Sequence, residues 1–90
     1  MKNPFTIEKG KPFPVGITTV DGGINVSVAF DYLPLKECGI LLYDKRKKPL
    51  KIVFPDSCRI GNMFAVRLTG DVSKYLYYLF FCDDKVFMDP

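Results

Sequence analysis

The segment Val15–Phe30, VGITTVDGGINVSVAF, decides how this chain is read. Asp21-Gly22 in its middle is the strongest hairpin signal in the sequence, because a two-residue type I′ turn needs positive φ and these residue types tolerate it. Ahead of the turn, Val15 to Val20 reads as an edge strand. Behind it, Ile24, Val26, Val28 and Phe30 fall on one face and Asn25, Ser27 and Ala29 on the other. That alternation predicts a strand with one face in the core and one face in water.

Period-two alternation continues outward from this hairpin, and no stretch of ten or more residues carries helical spacing. Gly39–Tyr43 is apolar on both faces and reads as a central strand. Asp44-Lys45-Arg46-Lys47-Lys48-Pro49 is the most charged stretch and reads as a solvated loop, with an anion or partner contact as the sharper alternative. Leu50, Ile52 and Phe54 alternate inward until Pro55-Asp56 ends the strand, and a loop follows to Asn62. Phe64, Val66 and Leu68 then alternate against Ala65 and Arg67, closing at Thr69-Gly70-Asp71. A last hairpin runs from Tyr75 to Cys82, turns at Asp83-Asp84 and returns through Lys85 to Met88; Asp84 stands where glycine would fit more easily. About seven antiparallel strands at turn spacings of roughly 8–12 residues predict an all-β sandwich.

Ninety residues fit one small domain, divided here into an N-terminal lead over residues 1–11 and a β-sandwich over 12–90. Thirteen basic and ten acidic side chains leave a net charge of +3, too little to mark a nucleic-acid binder. The absence of histidine removes the commonest general base and the commonest nitrogen metal ligand, so no catalytic residue, metal or cofactor is expected in this chain. Cys38, Cys58 and Cys82 are widely spaced with no C-x-x-C pair, and read as reduced, buried packing residues. The first residues lack the apolar core of a secretory signal, and the longest apolar run, Tyr75 to Cys82, is too short to cross a bilayer. The expectation is a cytoplasmic chain with no membrane partner, unless a secretion signal lies upstream.

The strand from Tyr75 to Cys82 asks for a partner. Tyr75, Tyr77, Leu79 and Phe81 share one face; Leu76, Tyr78, Phe80 and Cys82 share the other. A two-layer domain buries one face of a strand, so the second set must be covered by the chain's own proline-rich lead or the Leu33–Cys38 linker, by a neighbouring domain, or by a sugar. A millimolar glycan site requires about 4 kcal/mol net. One buried aromatic contributes at most about 3 kcal/mol, so such a site needs at least two aromatics on one surface.

The closing stretch MFAVRLTGDVSKYLYYLFFCDDKVFMDP resembles the last strands of carbohydrate-binding module family 48, and KPFPVGITTVDGGINVSVAF with GILLYD resembles its opening. The resemblance spans Pro12 to Pro90, and the tyrosine-rich strand followed by Asp89-Pro90 carries most of it. It implies an immunoglobulin-like sandwich that precedes the catalytic barrel of debranching enzymes, pullulanases and isoamylases of glycoside hydrolase family 13. It also implies a downstream glycosidase catalytic domain as partner, which agrees with the doubly apolar strand, whose Tyr75, Leu79 and Phe81 are the candidate docking residues. Family members that bind glycan use two tryptophans and a lysine; approximate alignment puts those slots near Lys47, on Val86 and on Leu79. The implied affinity for glycogen, starch or maltooligosaccharide is therefore weak or nil, with Tyr77, Lys85 and Phe87 flanking the substituted slots. Asp83 and Asp84 are turn formers, since adjacent carboxylates lack the opposed ~5–9.5 Å geometry of a glycosidase. Two alternatives stand beside the accessory module: a free-standing α-glucan binder, and an OB-like single-strand nucleic-acid binder. The last ranks lowest, because the basic residues gather at Lys45–Lys48 while the aromatic strand has none.

Overall fold

Period-two patterning produces strands throughout. The computed structural model, which describes residues 4–30, 36–46 and 48–88, contains nine strands among them. These are β1 (Thr6–Lys9), β2 (Gly16–Val20), β3 (Gly23–Ala29), β4 (Cys38–Asp44), β5 (Pro49–Val53), β6 (Arg59–Ile60), β7 (Met63–Thr69), β8 (Tyr75–Cys82) and β9 (Lys85–Phe87), with one 3-10 turn at Asp56–Cys58. One antiparallel sheet runs β1-β7-β3-β2, with β6 continuing the β1 side of β7; the other runs β5-β4-β8-β9. The chain is an all-β sandwich of these two sheets. Among the described residues the two sheets do not join into the single closed barrel of the OB-like alternative.

Seven strands match the alternation in the sequence. The other two are β6, too short to carry a period, and β1, which lies in the stretch read as a lead. β1 pairs with β7 from Thr6↔Thr69 to Lys9↔Val66, and Phe5 just ahead of it is buried in the core. The sandwich thus includes Phe5 and Thr6–Lys9, residues assigned to the lead in the sequence. Leu33–Leu35, Lys47 and Asp89-Pro90 lie outside the described residues.

The core sits where the two inner faces meet. Ile24, Val26, Val28, Phe64, Val66 and Leu68 come from the first sheet, and Ile40, Leu42, Ile52, Phe80 and Cys82 from the second. Phe64 centres an aromatic cluster at one end: Phe30 lies edge-on at 5.8 Å and Phe54 tilted at 5.9 Å, while Phe87 meets Phe30 edge-on at 5.8 Å. At the other end Phe5 tilts against Tyr75 at 6.0 Å. Such pairs contribute roughly 0.5–1.5 kcal/mol each beyond their area.

The wet face expected for β3 is dry. Asn25 is 5% exposed and Ser27 fully buried, because the chain from Gly10 to Pro12 crosses over them. Asn25 accepts from the Lys11 N–H at 2.7 Å and donates to the Lys11 carbonyl at 2.9 Å; Ser27 donates to the Pro12 carbonyl at 2.6 Å. Polar residues at these positions therefore reflect a bond to overlying backbone, which the alternation alone reads as contact with water. The proline-rich chain covers the β3 sheet and is not the cover proposed for β8.

The Asp21-Gly22 turn differs from the type I′ expectation, and the Asp83-Asp84 turn places its positive φ one residue earlier than the slot singled out in the sequence. In the Asp21-Gly22 turn only Gly22 has positive φ, 75°, the sign pattern of a type II turn. In the Asp83-Asp84 turn the positive φ, 55°, falls on Asp83 and not on Asp84. Asp83 is held there by its carboxylate, which accepts from the Lys36 N–H at 2.7 Å and the Glu37 N–H at 3.2 Å. Aspartate tolerates this left-handed geometry better than most side chains.

Asn25→Ala removes both side-chain bonds to Lys11 and leaves that backbone unsatisfied beneath the crossing. The expected loss is about 1–3 kcal/mol in urea unfolding, with faster hydrogen exchange at the Lys11 amide. A Lys11 amide as protected as in the parent chain would contradict the clasp.

Candidate functional site

The outer face of the β5-β4-β8-β9 sheet follows from its register. Three rows of side chains run across it. Val53, Gly39, Phe81 and Val86 form the first; Lys51, Leu41 and Leu79 the second; Pro49, Tyr43 and Tyr77 the third. One charged side chain, Lys51, interrupts an apolar field. Outer faces of antiparallel sheets are normally polar, so this face departs from the usual pattern.

The rows differ in how far they are already closed. Phe81 is only 3% exposed. Its ring occupies the space over Gly39, where an added Cβ would stand 2.9 Å from the ring, and the Lys51 ammonium sits 5.2 Å above its centroid while pairing with Glu37. Leu79 and Leu41 are half-buried neighbours. Tyr77 is 47% exposed and stacks on Tyr43 at 4.7 Å between centroids and 4° between planes.

Beyond Tyr77 the strand changes face. The register with β4 shifts between Tyr43 and Asp44, so Asp44 faces Tyr75 and Leu76 is left over as the bulged residue. Tyr75 thereby turns inward onto Phe5, and Leu76 swings out to 69% exposure. Strict alternation had put Leu76 with the core and Tyr75 outside; the bulge reverses both. Leu76, Tyr77, Tyr78 and Met88 line a shallow hollow of about 280 Å³, beside which β9 pairs with Phe80–Cys82 only.

Charge borders this face unevenly. At the Tyr77 end a hollow of about 430 Å³ is lined by Asp44, Lys45, Arg46, Ser73, Lys74 and Leu76. Asp44 caps its own turn by accepting from the Arg46 N–H at 2.8 Å. Nearby, Asp71 is held below the ordinary carboxylate range by the Ser73 hydroxyl and then by the Ser73 N–H. At the Phe81 end stand Glu37, Asp83 and Asp84. A separate hollow of about 380 Å³ lies on the other sheet beside the crossing chain, where Lys9, Lys11 and Arg67 gather; Arg67 donates to the Asp21 carbonyl at 3.0 Å.

The six residues singled out from sequence do not assemble into two sites. Of the sugar candidates, Tyr77 lies on the outer face. Phe87 pairs with Phe80 and packs inward on Phe30, and Lys85 is exposed opposite Cys82 at the far end of β8. Five residues of strand, roughly 17 Å, separate Tyr77 from that end, so the three form no common platform. Of the docking candidates, Leu79 lies on the outer face, Phe81 is sealed by Gly39 and Lys51, and Tyr75 belongs to the core. The residues that sequence reasoning missed are Leu76, Tyr43, Val86 and Met88. Tyr43 was legible in the doubly apolar Gly39–Tyr43, and Val86 and Met88 in their alternation with Phe87; Leu76 carried no signal.

Among the described residues no group of three metal-ligating side chains comes together, and no helix is long and apolar enough to cross a membrane. No protein-family model matches the sequence. No curated protein matches it either.

Gly39→Ala drives a methyl group into Phe81 and the Ile52 carbonyl. The expected destabilisation is about 1–3 kcal/mol, with Phe81 made accessible to hydroxyl-radical oxidation. For the tyrosine pair, a double-mutant cycle of Tyr43→Ala and Tyr77→Ala is expected to give a coupling of about 0.5–1.5 kcal/mol. Additive losses would mean that the stack contributes nothing to stability.

Proposed function

We propose that this chain is an accessory, immunoglobulin-like β-sandwich module that packs on the catalytic domain of an α-1,6-acting glucan hydrolase through the outer face of the β4–β8 sheet. Its own hold on α-glucan is weak or absent. The observation that carries the reading is the contiguous apolar field in which Tyr77, Leu76, Val86 and Met88 remain open to water. Single exposed apolar residues are ordinary on protein surfaces; a group of them along β8 and the neighbouring β9 segment favours burial against another surface. The glucan-hydrolase context rests on the resemblance of Pro12–Pro90 to carbohydrate-binding module family 48.

A second reading, direct α-glucan binding, is favoured by the Tyr43–Tyr77 stack. Parallel aromatic planes on an open sheet can receive the apolar face of a sugar ring. Each ring of the pair already gives one face to its neighbour, however, and Phe87 and Lys85 do not reach them. One available ring at about 3 kcal/mol falls short of the roughly 4 kcal/mol a millimolar site requires.

Hydroxyl-radical footprinting separates these readings when the chain is compared alone and within the whole polypeptide encoded by its reading frame. The docked module predicts protection of Leu76, Tyr77, Val86 and Met88 in the longer polypeptide. A reading frame encoding no catalytic barrel, or unchanged oxidation at those residues, overturns it. Titration of the isolated chain with maltoheptaose at millimolar concentration is expected to leave tyrosine resonances unmoved; saturable shifts at Tyr43 and Tyr77 would establish the glucan reading in its place.

A further inference from the structure

Cys38 and Cys82 stand directly opposite one another in the β4–β8 register. The backbone bonds around them define what kind of pair they are. The Phe54 N–H donates to the Cys38 carbonyl at 2.8 Å, so Cys38 turns its hydrogen-bonding groups toward β5. On the β8 side the Asp83 N–H donates to the Glu37 carbonyl at 2.7 Å, one step further out. Cys38 and Cys82 are therefore a non-hydrogen-bonded pair, the arrangement that brings opposed Cα atoms to about 4.5 Å in antiparallel sheets. That separation falls within the ~4.4–6.8 Å that disulfides span.

The side chains agree with the backbone. Both point to the inner face, both are buried, and both are thiols. Burial first, and then the neighbouring Cys82, push the Cys38 thiol up to about 12. Cys58 is placed elsewhere: it sits at the 3-10 turn with its Sγ 3.6 Å from the Glu8 carbonyl, beside the opposite sheet.

We propose that Cys38 and Cys82 form a redox pair that a small-molecule disulfide of the glutathione class converts to a cross-strand disulfide stapling β4 to β8. A thiolate of the pair attacks one sulfur of the small disulfide, breaking its S–S bond and releasing one glutathione. The second cysteine gives up its proton to solvent and attacks the protein sulfur of the mixed disulfide, releasing the second glutathione. Two S–H bonds are lost and one S–S bond is gained in the protein, while the small disulfide is reduced to two thiols. Because the closed sandwich holds Cys38 protonated and buried, exchange runs through opening of the β8–β9 end, where β9 is three residues long. Once formed, the bond ties together the two strands that carry Tyr43 and Tyr77 and stiffens the outer face from beneath, whatever docks there.

The test uses the whole chain, incubated natively in a glutathione disulfide buffer, acid-quenched, alkylated and mapped by mass spectrometry without reduction. The expected product is a linked peptide pair containing Cys38 and Cys82, lighter by two hydrogen atoms, with Cys58 alkylated. The Cys58→Ala variant is expected to form the same link and to melt higher when oxidised, by roughly 10 °C. Links through Cys58 in comparable yield, or glutathione held singly with no internal link, would overturn the proposal. So would an oxidised Cys58→Ala chain that melts at or below its reduced form.

Discussion

A strand between two neighbours can turn only one of its faces into a sandwich, and β8 has two apolar faces. Tyr78, Phe80 and Cys82 take the inner side, where they meet β4 and the opposite sheet. Everything distinctive about the molecule follows from how the remaining side chains of β8 are accommodated. Phe81 fits into the space left by Gly39 and lies beneath the Lys51 ammonium, Leu79 is half-covered, and Tyr77 is shared with Tyr43. The cover thins from the Phe81 end toward the bulge, where the chain presents Leu76 to solvent.

The bulge at Leu76 has a structural purpose that alternation cannot express. It ends the strict pairing of β8 with β4 and turns Tyr75 back onto Phe5, closing the open end of the sandwich with two aromatic rings. One extra residue thus moves a tyrosine from the surface to the core and a leucine in the opposite sense. The N-terminal segment performs a similar closure on the other sheet: Lys11 and Pro12 give their backbone groups to Asn25 and Ser27, so a face that would be wet in a bare two-layer sandwich is sealed by main chain.

The contrast between the two outer faces bears on function. Where the first sheet needed a cover, the chain supplies one through paired hydrogen bonds. Over the second sheet Phe81 is closed off beneath the Lys51 ammonium, while Val86 in the same row stays open. The aromatic stack and its apolar neighbours are left for another surface, and Lys45, Arg46 and Lys74 border them on the side of the bulge. Beneath the same strands, Cys38 and Cys82 meet across the ladder, so chemistry on the inner face and contact on the outer face share one pair of strands.

Much of the fold was legible in order of strength of period. The Ile24-Val26-Val28-Phe30 face, the central placement of Gly39–Tyr43, the inward set of β7 and the burial of Cys82 follow from side-chain hydrophobicity at a spacing of two, a property each strand carries within itself. The long-range relations were decided by tertiary structure alone. Whether Asn25 faces water or the Lys11 backbone depends on a segment fourteen residues away, and whether Phe81 is open depends on Gly39 leaving room and on Lys51 reaching across. Which of Tyr75 and Leu76 points inward depends on a register shift against another strand. Local sequence dictates which surfaces are apolar because that is a property of the residues themselves; which of those surfaces is covered is set by what the rest of the chain brings against them.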